Sequence, residues 1–259
     1  MITAPRVFLI GESKVNQEGL GALLNHLGAP HWTSDAVSDI ELLSEVYGRA
    51  CYKSFGTELN PNIARVRTTS KSYLKNILDK GDGSVLEHGV VNFFFADVSR
   101  VFTHELCRHR VGTAISQESL RFVRLTDINW YAPTCITENS EAMTIFAKTF
   151  EELSVLQKQL AELFELDDQD SFDYKKKITS AMRRVAPIGV ATNVGWSCNI
   201  RSLRHIIEQR TAPWAEEELR LTFGKVAEIA VERWPNLFAD YKVEIVDDLP
   251  FYTTVNKKV

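Results

Sequence analysis

The sequence predicts a helix-rich single domain with a small sheet, and three observations point there. Apolar residues recur at three- and four-residue steps over much of the chain, the helical period. Only two stretches are rich enough in β-branched and aromatic residues to read as strands. No repeat, low-complexity segment or linker divides residues 1–259, and at 44% hydrophobic the chain is long enough for one large core.

RVFLI, residues 6–10, is the first expected strand. Ser38 and Glu41 form an S-x-x-E capping box, and Ile40, Leu43, Val46, Tyr47 and Ala50 then share one helix face. Lys71 to Leu78 is a shorter helix ended by GDG, and VVNFFFADV, residues 90–98, is the second strand. Ser99 caps a helix running to His109, which places Arg108 and His109 at its C-terminal end. Cations there gain typically about 0.3–1 kcal/mol against the exposed carbonyls.

From Thr137 to Glu165, Met143, Phe146, Phe150, Leu153, Leu156, Leu160 and Leu163 mark a long amphipathic helix whose stripe is expected in the core. DDQDSFD interrupts it, and a further helix carries Met182, Arg183 and Arg184 up to Pro187. Arg201–Arg210, capped by Asn199, and Trp214–Trp234 are the last two helices, with Thr211, Ala212 and Pro213 between them.

Several function classes are disfavoured at this level. A net charge of −4 does not suit a protein that coats nucleic acid, and no apolar run reaches the roughly 18–20 residues that cross a bilayer. Met1–Ser13 lacks the order of a secretory signal. Cys51, Cys107, Cys135 and Cys198 form no C-x-x-C pair, which suggests neither a disulfide scaffold nor a zinc site and fits a reducing cytoplasm. His104, Glu105 and His109 miss the H-E-x-x-H zinc spacing, since i and i+5 are about 140° apart on a helix. No metal is therefore expected. Cys107, with no base committed to it, reads as a buried structural thiol. Neither common glycine-rich nucleotide loop is present.

Against that acidic background, residues 108–122, RHRVGTAISQESLRF, concentrate four basic side chains with serine and threonine hydroxyls. Guanidinium groups present a fixed fork of donors that matches phosphate, and loop amides and hydroxyls complete such a cradle. Residues 196–210, WSCNIRSLRHIIEQR, supply a second basic set. Arg201 falls in a first helical turn, where a cation opposes the dipole unless an anion or carboxylate compensates it. His205 lies one turn further on the same face.

Arg108-His109-Arg110 followed by Ser116-Gln117-x-Ser119-x-Arg121 resembles the signature loop of the flavin-dependent thymidylate synthases. GDGSVLEH, residues 81–88, resembles the family's segment before its strand, and Trp196-x-x-Asn199-x-Arg201-Ser202-Leu203 through Arg210 its C-terminal signature. The three segments keep the family's order and lie within roughly residues 45–220.

The resemblance implies an α+β subunit and a cytoplasmic homotetramer whose active sites are shared between subunits, with no membrane or nucleic-acid partner. It implies FAD, NADPH and methylenetetrahydrofolate as cofactors and the methylation of dUMP to dTMP. Ser84, Arg108, His109, Arg110, Gln117, Asn199, Arg201 and His205 would face the flavin nucleotide. Glu105, Arg108, Gln117, Ser119, Leu120, Arg121, Arg183 and Arg210 would face the pyrimidine nucleotide, with Arg210 the catalytic group at the uracil ring.

The sequence departs from the pattern in places. Eight residues, Val111 to Glu118, separate Arg-His-Arg from the second serine where seven are usual, and Gly112 is where a bulge could absorb the extra one. Glu105 replaces an expected glutamine, Phe122 a tyrosine, Leu120 a small or polar residue and Asp82 a histidine. These differences leave UMP or another pyrimidine nucleotide open as the substrate, methylated or hydroxymethylated at C5. A non-catalytic nucleotide- or RNA-binding module is the reading from a different class.

Overall fold

The computed structural model describes residues 1–125 and 128–259. In chain order it comprises β1 (Arg6–Glu12), α1 (Gln17–His26), α2 (Asp39–Tyr52), α3 (Ser70–Lys80), a 3-10 segment Gly83–His88, β2 (Val90–Ser99), α4 (Arg100–Leu106) and β3 (Thr113–Gln117). There follow α5 (Thr134–Thr137), α6 (Ser140–Leu163), α7 (Phe172–Met182), a 3-10 turn Arg183–Val185, β4 (Ala191–Asn199), α8 (Ile200–Thr211), α9 (Glu217–Arg233), β5 (Lys242–Val246) and β6 (Leu249–Thr253). The fold class is α+β, with a four-stranded sheet in the order β1-β2-β4-β3 and a two-stranded antiparallel β5-β6 hairpin.

The chain forms two compact units, each discontinuous in sequence. One comprises residues 1–8, 94–109 and 115–196; the other 9–93, 110–114 and 197–259. In the first, Trp130 stacks on Phe150 at 4.6 Å, and Leu120, Leu125, Ile128, Leu153 and Val190 close a core around them. β4 follows the two-residue period of a strand: Thr192, Val194, Trp196 and Cys198 are buried and their neighbours are not. In the second, Leu24, Ala29, Val46 and Phe55 form one cluster. Leu203, Ile206 and Ile207 of α8, and Leu219, Phe223, Val226 and Ala227 of α9, are fully or almost fully buried.

Caps expected from sequence are in place. Ser38 accepts from the Glu41 N–H, Ser99 from Phe102 and Asn199 from Ser202. Gly81 ends α3 at φ 74°, a conformation that costs a side-chain-bearing residue about 1–2 kcal/mol. The Glu41 carboxylate accepts from the backbone N–H and side-chain amide of Asn236. Burial holds its pKa above the usual range.

Three expectations are corrected. The helix after Ser99 stops at Leu106, so Arg108 and His109 follow its end, and Cys107 is exposed, leaving Cys198 as the buried thiol. The long helix begins at Ser140, capped by Asn139, after the separate short α5. Its stripe is only partly core, because Phe150 and Leu153 are buried whereas Leu163 is 74% exposed.

Candidate active site

The residues expected at the pyrimidine nucleotide fall, Arg210 excepted, in the first unit. α4 carries Glu105, and two residues earlier Thr103 accepts a 3.1 Å hydrogen bond from the Gln117 side-chain amide, tying the end of β3 to this helix. Ser119 then turns the chain, its hydroxyl accepting from the Arg121 N–H. The Arg121 guanidinium is exposed and has no hydrogen-bond or ion-pair partner among the described residues. Leu120 is 5% exposed and packs in the Trp130 core. Its side chain is therefore structural, and only its backbone is left for a ligand.

Arg183 begins the 3-10 turn after α7. Half-buried Arg100, which sequence reasoning passed over, lies within electrostatic reach of it. Burial lowers the Arg100 pKa, Glu118 opposes that and the Arg183 charge adds to it. The Arg100 guanidinium donates to the Glu118 carbonyl, and the Glu118 carboxylate accepts from Asn193. Arg100 thus has one carboxylate and one further guanidinium within electrostatic reach, a local excess of positive charge that favours an anion.

Most of the set expected at the flavin belongs to the second unit, where residues 110–114 meet the head of α8. The Asn199 N–H donates to the Gly112 carbonyl at 3.0 Å, and the Ser202 hydroxyl to the Val111 carbonyl at 2.8 Å. Gly112 holds φ at 65°, and a Cβ there would come within 2.7 Å of Ser202 Oγ and closer still to the Asn199 side-chain amide. Only glycine fits, because both the backbone angle and the space exclude a side chain. The loop after Arg-His-Arg is thus fastened to the start of α8, next to Arg110. Arg108 and Arg110 are exposed, with no side-chain partner among the described residues.

Arg201 differs. Its guanidinium forms a 2.6 Å ion pair with Glu87 and donates to the Lys258 carbonyl at 3.1 Å. The carboxylate that compensates a first-turn cation is therefore Glu87, so the position of Arg201 alone does not call for a ligand. Gly83, beside Ser84, packs so closely that a Cβ would meet the Lys258 carbonyl at 2.7 Å and Arg201 Nε at 2.8 Å. His205 is exposed one turn after Arg201. Arg210 follows Arg201 by nine residues, about half a helical circumference, so the two leave α8 on opposite sides.

Sequence reasoning also missed Arg204, which lies between these residues and is fully buried. Both of its terminal nitrogens bond the Asp240 carboxylate, and one donates as well to the Leu237 carbonyl. Burial opposes ionisation of Asp240, but Arg204, Thr254 and Asn256 outweigh it and hold its pKa below the usual range. No group of three or more metal-ligating side chains occurs among the described residues, and no helix is long and apolar enough to cross a membrane.

Residues 34–236 match the family model described as thymidylate synthase complementing protein. The chain belongs to the flavin-dependent thymidylate synthase family. A protein of that name from Mycolicibacterium vanbaalenii is 33% identical over 220 residues, covering 84% of this chain and 85% of its own length. The Mycobacterium marinum protein of the same name matches at 33% and that of Corynebacterium diphtheriae at 29%, with the same coverage. The matched family region takes in both signature segments and parts of both units.

Proposed function

We propose that this chain catalyses the FAD-dependent reductive methylation of dUMP to dTMP in the cytoplasm. Methylenetetrahydrofolate is the carbon donor, NADPH the reductant and a homotetramer the working form. The observation that carries this reading is the junction of Gly112 and Val111 with Asn199 and Ser202. It joins the arginine-rich loop to the head of α8, two segments far apart in sequence, and supports reading the junction as the flavin cradle.

The residues fit a flavin nucleotide. Its phosphates require several N–H donors, and exposed Arg108 and Arg110 precede a glycine that packs directly against the Asn199 amide. Ser84, His109, Gln117, Arg201 and His205 complete the proposed set. Bound flavin supplies the hydride that turns the transferred methylene group into a methyl.

Everything else falls to the chain's own groups. Arg121, Ser119 and Arg183 would hold the pyrimidine nucleotide's phosphate, and Glu105 and Gln117 its remaining polar edge. C5 of uracil becomes nucleophilic as negative charge builds on O4 and N3, and a guanidinium directed there stabilises that charge. Arg210 has this role in our reading. In this reading no cysteine nucleophile takes part: Cys198 is buried with its thiol pKa raised by burial, and exposed Cys51, Cys107 and Cys135 are assigned no role.

The test is dTMP formation by purified protein supplied with FAD, NADPH, methylenetetrahydrofolate and dUMP without oxygen. Flavin bound but no product would overturn the proposal. Glu105 on α4 keeps UMP as a second reading, because a carboxylate presents acceptors where a glutamine amide would also donate. Competition between UMP and dUMP separates them, and a clear preference for dUMP removes the alternative.

A further inference from the structure

In the first unit α7 is fastened to the arginine loop. Phe172 stacks on Phe122, with centroids 5.9 Å apart and planes 14° from parallel, and Lys176 Nζ stands 5.5 Å from the Phe122 ring centre. Beside this contact is an open cleft of about 340 Å³ lined by Arg121, Asp173, Lys176, Lys177 and Ser180. Residues 173, 176, 177 and 180 are spaced i, i+3, i+4 and i+7, so all four face the cleft from one side of the helix. Three cations oppose one carboxylate, a net charge close to +2. A phosphate monoester at neutral pH carries about −1.5 to −2.

We propose that Lys176 and Lys177, with Ser180, are phosphate-binding residues that join Arg121 in selecting a dianionic nucleotide monophosphate over the uncharged nucleoside, and that Asp173 sets the net charge of that cleft. The inference rests on the reading of Arg121 as a nucleotide-phosphate residue. Arg121 supplies the planar fork, while the two ammonium groups supply mobile point charges that follow the phosphate. The Phe122 ring orients one of them through its π face. A charge run on a helix is commonly just a solvated face, but here it lines one cleft together with Arg121 from another segment.

Two measurements on the full-length protein test this: binding of inorganic phosphate by titration calorimetry, and steady-state kinetics with dUMP. In the double variant Lys176→Gln/Lys177→Gln, phosphate should bind at least about tenfold more weakly and KM for dUMP should rise in parallel, with kcat and flavin retention within about twofold of wild type. Restoring charge with Lys176→Arg/Lys177→Arg should recover most of the loss. Asp173→Asn should move both quantities the other way, tightening phosphate and lowering KM, which a purely structural role would not produce. Unchanged phosphate affinity in the glutamine variant, or weaker binding in Asp173→Asn, would overturn the proposal. If wild type makes no dTMP, the proposed reaction fails, yet phosphate binding still decides the role of the lysines.

Discussion

Arg201 and Arg210 share α8 but are expected to fail in different ways. With Arg210 in its proposed role at the uracil ring, Arg210→Ala removes a donor needed only as charge develops there. Such losses cost about 2.7–4 kcal/mol of barrier, or about 100- to 1,000-fold in kcat, while flavin should stay bound. Arg201→Ala should instead lower flavin retention and release Glu87 and the Lys258 carbonyl. Turnover under saturating cofactor and flavin absorbance after desalting separate the two, and equal small effects on both would remove this division of labour. Gly112→Ala is the sharper local test. Alanine at φ 65° costs about 1–2 kcal/mol for the backbone alone, before the collision with Ser202. Lower thermal stability together with weakened flavin retention is expected, and flavin bound as in wild type would argue against the cradle.

At the scale of elements, α8 is held by the ion pair of fully buried Arg204 with Asp240, and its removal should be costly. Asp240→Asn leaves the Arg204 guanidinium buried without its counter-charge, a change that typically destabilises by about 3–5 kcal/mol. The pH dependence has a definite sign. Asp240 has a lowered pKa in the fold, so its contribution is present above the ordinary aspartate value of about 3.9 and is lost as pH falls through the folded value. Urea unfolding should show a large gap between wild type and Asp240→Asn at pH 7 that narrows below about pH 4. A gap independent of pH would mean that the aspartate acts through packing.

Nothing in the sequence marked this pair, because Arg204 and Asp240 lie in separate elements and only the fold makes them neighbours. Features whose cause is local were legible: the Ser38, Ser99 and Asn199 caps, the Gly81 stop and the apolar run of β2. β4 was equally local, with its alternating Thr192, Val194, Trp196 and Cys198, but its last four residues also begin the Trp196–Arg210 signature, and read as a motif they hid a strand. β3 and the β5-β6 hairpin are five-residue strands of mixed polarity, too short to carry a clear period. The candidate site could be written down as a list of residue types, and its wiring could not. Glu87 stood inside the quoted GDGSVLEH segment with no assigned role until Arg201 was found against it.

For the whole molecule, the proposed homotetramer makes the opposite placement of Arg201 and Arg210 informative. Arg201 and Arg210 leave α8 on opposite sides, so in a shared-site assembly one helix can serve two active sites. If each site takes Arg201 from one chain and Arg210 from another, each inactive variant should be able to rescue the other. In randomly mixed tetramers of Arg201→Ala and Arg210→Ala, about one quarter of sites would combine an intact Arg201 with an intact Arg210. Co-expression of the two variants on differently tagged chains, with both tags used to purify the hybrids, should restore activity toward that fraction, while each variant alone stays low. Light scattering on the same sample should report four times the mass of one chain. Hybrids as inactive as their parents would mean that both arginines of a site come from a single chain. A monomeric mass for the active wild type would end the shared-site proposal outright.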